Sequence, residues 1–401
     1  MLQQVDVSRR LATCVAATRW EDVPSDVRHQ AKRSFINLFA VALAGCRTDP
    51  IEIALSSLQE FSGGKQATII GRAERIDALG AAFLNAAAAN VHDFCDTHIA
   101  TVIHPTAPVA PALLALAELR KVSGPELLLA FILGHEVQAR IGLAISPKHY
   151  DKGWHITSTC GVFGAAAGAG KLLSLGERQL VSALGTASTQ SAGLCECLGW
   201  PAKSVSVGNA ARNGLWSALL AAKGFDGPAE PLAGRQGFYN ALGDAPDLSR
   251  VTDGLGETWE IMATSYKPYP CGFVIHPVLD CVLDWRRDNP EGEVTRVVVL
   301  RDGRFNYVGS LEGALEKVAK NHQRIALGSR VAYPGFIESH GHLSSLGEAI
   351  TNLDLNGVDS YQTIVGMVAD AAAKAAPGQV IKGRGWHQSK WDSQPKTTVD
   401  G

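Results

Sequence analysis

The stretch Gly161-Val-Phe-Gly-Ala-Ala-Ala-Gly-Ala-Gly-Lys-Leu-Leu173 bears most directly on the fold. Glycine or alanine fills most of its positions, and such small side chains allow two helix backbones to approach closely. A flexible loop would not need so many alanines, which are the best helix formers. The stretch is therefore predicted to be a helix packed in the middle of a helical bundle.

Helical patterns surround this stretch from the N-terminus to about residue 225. One helix is predicted to begin at Pro24-Ser25-Asp26 and to end near Gly45, with apolar residues at helical spacing between them. Asp77–Val91 and Gly124–Ile145 have the same character. Only Ala67–Gly71 has the pattern of a strand in this region, so the first part of the chain is predicted to be mainly α.

The pattern changes after Asp244. Val294–Leu300 and Phe305–Val308 flank Asp302-Gly303, which predicts two strands joined by a turn. Further helices are predicted at Leu311–Asn321 and, as an amphipathic helix, at Tyr361–Ala375, and a polar loop is predicted from Gly383.

The composition favours a soluble enzyme. Charged residues make up 19% and apolar residues 46% of the chain, and a net charge of −2 leaves no excess of basic residues for nucleic acid. No apolar run predicts a membrane span, and the residues after Met1 lack a signal-peptide pattern. The eight cysteines contain no CxxC pair, which favours reduced thiols and a cytoplasmic location.

The first polar cluster interrupts the helical region at Val91-His-Asp-Phe-Cys-Asp-Thr-His98 and continues at His104-Pro105. Two carboxylates and several imidazoles within so few positions suggest a chemical site. Two simpler interpretations remain open for this cluster. It could be a solvated loop, or Asp93 or Asp96 could cap the following helix.

Three further polar clusters follow along the chain. Gly153-Trp-His155 leads directly into the small-residue helix, where His155 could bind an anion at the helix start or merely cap the helix. Lys203 begins another helix, although a lone lysine is usually a solvated charge. Lys267 lies between prolines in Lys267-Pro-Tyr-Pro-Cys271, shortly before His276.

These clusters lack the spacing of a metal, nucleotide or serine-hydrolase site, because the chain contains no HExxH, GxxxxGK[ST] or GxSxG motif. What remains is proton transfer by imidazole, with lysines binding the carboxylates of a substrate.

The four clusters resemble the motifs of the MmgE/PrpD family, in the same order and spacing, over about residues 5–290. That family includes 2-methylcitrate dehydratase, cis-aconitate decarboxylase and iminodisuccinate epimerase. The resemblance implies a large all-helical domain with a small α/β lid, a homodimer, a small polycarboxylate substrate, and no metal or organic cofactor. It implies a catalytic set, within which the roles of the two histidines stay open: Asp93, Thr97, His104, His155, Lys203 and Lys267.

Two features depart from the family pattern. The lysine motif usually reads Lys-x-x-His-x-Gly, but residue 206 is Ser206 here. The lid, which should begin near residue 260 and continue past residue 300 with a catalytic tyrosine, is incomplete.

The residues after 295 resemble another family, the amidohydrolases, through Arg330-Val-Ala-Tyr-Pro-Gly-Phe-Ile-Glu-Ser-His340-Gly-His342 and Gly383-Arg-Gly-Trp-His-Gln. In that family His340 and His342 would face one metal at the end of the first barrel strand. A catalytic metal needs at least three protein ligands, and a complete barrel needs about 200 residues, whereas fewer than 70 follow His340.

The sequence thus predicts a mainly α chain made of two parts. Residues 1–290 form an MmgE/PrpD-like helical lyase domain, and residues 295–401 form a truncated α/β segment with a β-rich strip and a first barrel strand. The predicted chemistry is dehydration, decarboxylation or epimerisation beside a carboxylate. The alternatives are a metal-dependent amidohydrolase acting on C–N bonds and a catalytically inactive fusion.

Overall fold

The computed structural model describes residues 6–276, 279–280, 283, 286–287, 297–301, 304–309, 353–354, 360–374 and 383–384. The chain divides into two compact units, Met1–Cys271 and Gly272–Gly401. The predicted second part therefore falls in the second unit, where Leu311–Asn321 and the metal-ligand candidates His340 and His342 lie outside the described residues.

The first unit is mainly helical, as predicted. Its helices are α1 (Val7–Ala17), α2 (Ser25–Gly45), α3 (Asp49–Gln59), α4 (Ala78–Asn90), α5 (Thr106–Glu118), α6 (Gly124–Leu143), α7 (Lys148–Asp151), α8 (Ile156–Leu172), α9 (Glu177–Ser188), α10 (Ala202–Ala222), α11 (Phe238–Leu242) and α12 (Ser249–Thr252). Helices α2, α4, α6 and α8 agree with the sequence prediction to within a few residues.

Helix α8 lies in the centre of this unit, as its small residues predicted. Every residue from Ile156 to Gly170 is buried, and the helix packs against α5, α6, α9 and α10. Two of its glycines, Gly164 and Gly168, lie directly against the backbone of α6. A Cβ atom at Gly164 would lie 2.7 Å from the carbonyl oxygen of Gly134 in α6, and a Cβ atom at Gly214 in α10 would lie 2.6 Å from the carbonyl oxygen of Val162. The bundle therefore depends on glycine at these crossings.

Short antiparallel strand pairs connect the helices of the first unit. β1 (Ala67–Thr68) pairs with β2 (Arg75–Ile76), so the strand predicted at Ala67–Gly71 is only two residues long. β3 (Thr97–His98) pairs with β4 (Thr264–Ser265), with Thr97 opposite Ser265. This second pair joins parts of the chain that are far apart in sequence.

The described part of the second unit contains both strands and a helix. β5 (Val297–Arg301) pairs antiparallel with β6 (Arg304–Gly309), which agrees with the predicted strand pair. β7 (Leu353–Asp354) pairs in parallel with β8 (Gly383–Arg384), so part of the loop predicted from Gly383 is a short strand. Helix α13 (Tyr361–Lys374) agrees with the predicted amphipathic helix.

We expect Gly164→Ala to lower the free energy of unfolding by about 1–3 kcal/mol, because the added methyl group forces α6 and α8 apart. Gly124→Ala is the matched control. Gly124 is the first residue of α6, and a Cβ atom there meets nothing within 4 Å. Urea titration of both variants measures the effect. An unchanged midpoint for Gly164→Ala would show that the helix crossing tolerates a methyl group.

Candidate active site

The loop after α4 presents Asp93 in an unusual backbone conformation. Its φ angle is +52°, in the left-handed region that Asp and Asn adopt more readily than most residues. The amide of Asp93 donates to the carbonyl oxygen of Asn90, which closes the turn at the end of the helix. Both the carbonyl and the carboxylate of Asp93 then face the same neighbouring lysine, Lys267.

Two lysines from distant parts of the chain contact Asp93. The Nζ atom of Lys203 lies 2.5 Å from Oδ1 of Asp93. The Nζ atom of Lys267 donates to the carbonyl oxygen of Asp93 at 2.7 Å and lies 3.1 Å from its Oδ2 atom. The Lys203 and Lys267 side chains are only 11% and 1% exposed, so the interpretation of Lys203 as a solvated charge is wrong.

The lysines hold Asp93 in its ionised form. Burial disfavours the charged carboxylate, but the adjacent ammonium groups of Lys203 and Lys267 outweigh burial, and the pKa of Asp93 lies well below its ordinary value. Lys203, Lys267 and Asp93 together have a formal charge of +1, and the buried carboxyl of Asp96 also interacts electrostatically with Lys267.

The β3–β4 pair brings Lys267 to this position. Lys267 follows β4 by two residues, and β4 is paired with the strand that begins at Thr97. Buried side chains secure β4, because Gln30 Nε2 donates to the Thr264 carbonyl oxygen at 3.2 Å and His135 Nε2 lies 2.9 Å from Thr264 Oγ1. On β3, His98 Nε2 lies 3.0 Å from a carboxylate oxygen of Glu260.

His104 lies beside the same carboxylate, with its Nε2 atom 3.7 Å from Asp93 Oδ1. Its Nδ1 atom is 3.0 Å from the carbonyl oxygen of Asp96 and 2.9 Å from Thr97 Oγ1. A carbonyl oxygen can only accept, so Nδ1 carries the proton and Nε2 is the unprotonated atom of the neutral ring. Burial, followed by the charge of Lys267, lowers the pKa of His104 well below its ordinary value.

His155 is buried and precedes the first residue of α8. Its amide donates to the carbonyl oxygen of Gly193 at 3.0 Å, and its Nδ1 atom lies 3.0 Å from Ser206 Oγ. The Ser206 hydroxyl donates to the carbonyl oxygen of Lys203 at 2.8 Å. His155 thus contacts α10, the helix of Lys203, through Ser206. The other five predicted residues are connected by direct side-chain contacts.

A second link joins His155 to His104 through the start of α8. The amide of His104 donates to Thr157 Oγ1 at 3.1 Å, and Thr157 lies two residues after His155. The structure therefore brings all six predicted residues into one connected region of the first unit. Their catalytic roles stay predictions.

Two residues of this region were not predicted as site residues. Ser206 was noted only as a departure from a motif, although its spacing of three from Lys203 places it on the next turn of the same helix. Asp96 is fully buried and accepts hydrogen bonds from the amide of Thr106 at 3.3 Å and from its hydroxyl at 2.5 Å. Asp96 is not the N-cap residue of α5, which is Pro105, but its carboxylate accepts from the first amide of that helix, and burial raises the pKa of Asp96 to about 6.

A cavity of about 290 Å³ lies near the start of α8 and α10. Its lining mixes apolar side chains with five polar ones: Ser158, Gln190, Ser206, Asn209 and Asn213. A larger, mostly apolar cavity of about 520 Å³ lies among α3, α4 and α10. None of the six predicted site residues lines either cavity.

The described residues contain no group of three or more His, Cys, Asp or Glu side chains placed to hold a metal ion. No helix in that part of the chain has the length and apolar character needed to cross a membrane.

Comparison with known families gives two matches on the chain. The model of the MmgE/PrpD N-terminal domain matches residues 9–251, which include every predicted site residue except Lys267. The chain belongs to the MmgE/PrpD family. The amidohydrolase family model matches residues 323–401. Both resemblances stated from the motifs are confirmed.

Cis-aconitate decarboxylases are among the relatives of the helical part. The Aspergillus terreus enzyme is 32% identical over 289 residues, which are 68% of this chain and 58% of the relative. The human enzyme is also 32% identical, over 291 residues that cover 70% of this chain and 60% of the relative. The chain thus spans somewhat more than half the length of these relatives.

A different relative matches the other part of the chain. YtcJ of Bacillus subtilis, a protein named as an amidohydrolase, is 30% identical over 104 residues. These residues are 26% of this chain and 20% of YtcJ.

We expect Asp93→Asn to lower the free energy of unfolding by about 3 kcal/mol at pH 7, because it leaves two buried lysines without a counter-charge. The pKa of Asp93 is lowered in the folded state, so its stabilisation is present above the unfolded pKa and is lost as the pH falls through the folded one. The difference between variant and wild type should therefore shrink below about pH 4.

Asp226→Asn is the control for this prediction. Asp226 pairs with Arg178 on the surface, where the two side chains are 70% and 86% exposed, so its removal should change stability little at any pH. Denaturant titrations between pH 3 and pH 8 test both variants. Equal stability of Asp93→Asn and wild type at pH 7 would contradict the assigned role of the carboxylate.

Proposed function

We propose that the helical unit binds a small polycarboxylate and catalyses lyase- or isomerase-type proton transfer beside a carboxylate, without a metal or organic cofactor. The reaction is dehydration, decarboxylation or epimerisation. The observation that carries this proposal is the buried cluster of Lys203, Lys267 and Asp93, whose formal charge is +1, with the imidazole of His104 beside it. The similarity to cis-aconitate decarboxylases supports the same substrate class.

The lysines are suited to hold substrate carboxylates. An ammonium group donates three hydrogen bonds, and each lysine already has a carboxylate or carbonyl partner at 2.5–3.1 Å. A substrate carboxylate would share these donors with Asp93 or replace it. Because the side chains are buried, the gain in electrostatic energy exceeds that of a solvated pair.

The imidazoles are suited to move the proton. In a dehydration, Nε2 of His104 would accept the proton from the carbon beside a carboxylate, the electron pair of that C–H bond would form the double bond, and the hydroxyl would leave as water with a proton from the imidazolium. In an epimerisation the electron pair would stay with that carbon, and protonated His155 would return a proton to its opposite face. In a decarboxylation the C–C bond to CO₂ breaks, and the electron pair left on carbon takes a proton from a protonated histidine, a form that the lowered pKa of His104 disfavours for that ring. His155 is the alternative for either step, so the roles of the two histidines stay open.

We propose in addition that the helical part ends near residue 290 and that residues 295–401 are a fused amidohydrolase-like segment. The two family matches, at residues 9–251 and 323–401, support a boundary between them. A homodimer formed through the helical unit and a cytoplasmic location complete the proposal. An incomplete lid would leave water at the site, so we expect slow turnover.

We expect Lys203→Met to weaken the binding of cis-aconitate about 10- to 100-fold, because a charge-assisted hydrogen bond contributes about 1.5–3 kcal/mol. The control is Lys223→Met at the exposed end of the same helix. Calorimetric titration of the full chain measures binding, and assays with cis-aconitate, 2-methylcitrate and iminodisuccinate identify the reaction. Equal affinities for wild type and Lys203→Met would contradict the proposed anion site.

We expect His104→Gln to lower kcat about 10²- to 10⁴-fold, as for other general acid–base groups, whereas His29→Gln on the exposed face of α2 should leave it unchanged. The pH dependence gives an independent check. Burial lowers the pKa of His104, so its imidazole stays neutral as the pH falls through the ordinary value of 6.5. For a reaction that needs the neutral base, kcat/KM should decline only at lower pH. A decline centred at or above pH 6.5 would exclude His104 as that base.

A further inference from the structure

Two serine hydroxyls converge on one ring nitrogen of His155. Ser206 Oγ lies 3.0 Å from Nδ1, and Ser158 Oγ lies 3.4 Å from the same atom. The serines belong to different helices, since Ser158 is in the first turn of α8 and Ser206 is in α10. The imidazole is therefore held at Nδ1 from both helices.

Each hydroxyl donates its single proton in a hydrogen bond to a backbone carbonyl. Ser206 donates to the carbonyl oxygen of Lys203 at 2.8 Å, and Ser158 donates to the carbonyl oxygen of His155 at 2.9 Å. A serine hydroxyl has one proton and two lone pairs, so each oxygen can now only accept at Nδ1. The proton between them must then belong to the imidazole.

We propose that Ser206 is a positioning residue that keeps neutral His155 in the tautomer with its proton on Nδ1, so that Nε2 is the basic atom. Nδ1 donates to Ser206 Oγ, and Nε2 carries the lone pair that can take a proton. This inference rests on the proposed function for its catalytic meaning, but the tautomer itself is independent of turnover.

The position of Ser206 also links the base to the anion-binding lysine. Its hydroxyl bonds to the carbonyl of Lys203 one helical turn earlier, so one residue contacts both the imidazole and the backbone of the lysine. His104 has the same tautomer by a different route, through the carbonyl oxygen of Asp96. Both imidazoles thus have Nε2 as their unprotonated atom.

The test is nitrogen NMR of the full chain labelled with ¹⁵N-histidine, at a pH where His155 is neutral. Signals of His155 are assigned from their loss in His155→Gln. We expect wild type to show a protonated Nδ1 and an unprotonated Nε2. Ser206→Ala should give a mixture of tautomers, because it removes the shorter of the two serine contacts at Nδ1. Ser206→Thr keeps the hydroxyl and should restore the wild-type signals.

Kinetics give the second measurement. Ser206→Ala should lower kcat about 10- to 100-fold with little change in KM, the usual range when a supporting hydrogen bond to a functional imidazole is removed. Ser188→Ala is the matched control. The Ser188 hydroxyl in α9 also donates to the backbone carbonyl three residues earlier, at Gly185, and Ser188 contacts none of the predicted site residues. It should leave both the tautomer and kcat unchanged.

The outcomes separate the two proposals. A proton on Nε2 of wild-type His155, or an unchanged tautomer in Ser206→Ala, overturns the role of Ser206 whatever the activity. If Ser206→Ala shifts the tautomer of His155 but leaves kcat unchanged, Ser206 has no importance for the reaction. No turnover by wild type with any of the three substrates counts against the proposed function, while the NMR result still decides the tautomer.

Discussion

Direct backbone contact between α8 and its neighbours is the constraint on which the first unit depends. Glycines at the crossings let carbonyl oxygens of α6 and α8 lie where side chains would otherwise separate them, and α10 touches α8 in the same way at Gly214. Backbone cannot rotate aside as a side chain can, so these helices have little freedom to shift. His155 directly precedes α8 and Lys203 lies in the first turn of α10, so this packing also sets the distance between these two side chains.

A single carboxylate, that of Asp93, allows two lysines to be buried side by side at the site. Two ammonium groups buried together would repel each other and lose their hydration, and Asp93 makes their burial possible. The left-handed backbone conformation of Asp93 allows both its carbonyl oxygen and its carboxylate to contact the ammonium group of Lys267. The single carboxylate of Asp93 thus neutralises one of the two lysine charges, and the proposed anion site would use the other.

The histidines differ in how their protons are directed. His104 donates Nδ1–H to a backbone carbonyl, a partner that no side-chain substitution can remove. His155 depends on the hydroxyl of Ser206, which an ordinary substitution can delete. Asp96 has a different set of partners, since its carboxylate accepts from the first amide of α5 while its carbonyl oxygen accepts from His104.

The sequence by itself determined the helical class of the first unit, because small or apolar residues at helical spacing allow few other solutions, and α2, α4, α6 and α8 followed from that spacing. It also determined which polar clusters belong together, through motifs in a recognisable order. Only the tertiary structure decided which of the two aspartates contacts the lysines. Asp93 and Asp96 are alike in sequence, yet one meets two lysines from 110 and 174 positions away and the other meets a helix start. Local spacing carries no information about such distant partners, and burial and charge at one point depend on every element that packs there. For the same reason the contact between Ser206 and His155 could not be predicted, because it depends on the packing of α10 beside the start of α8.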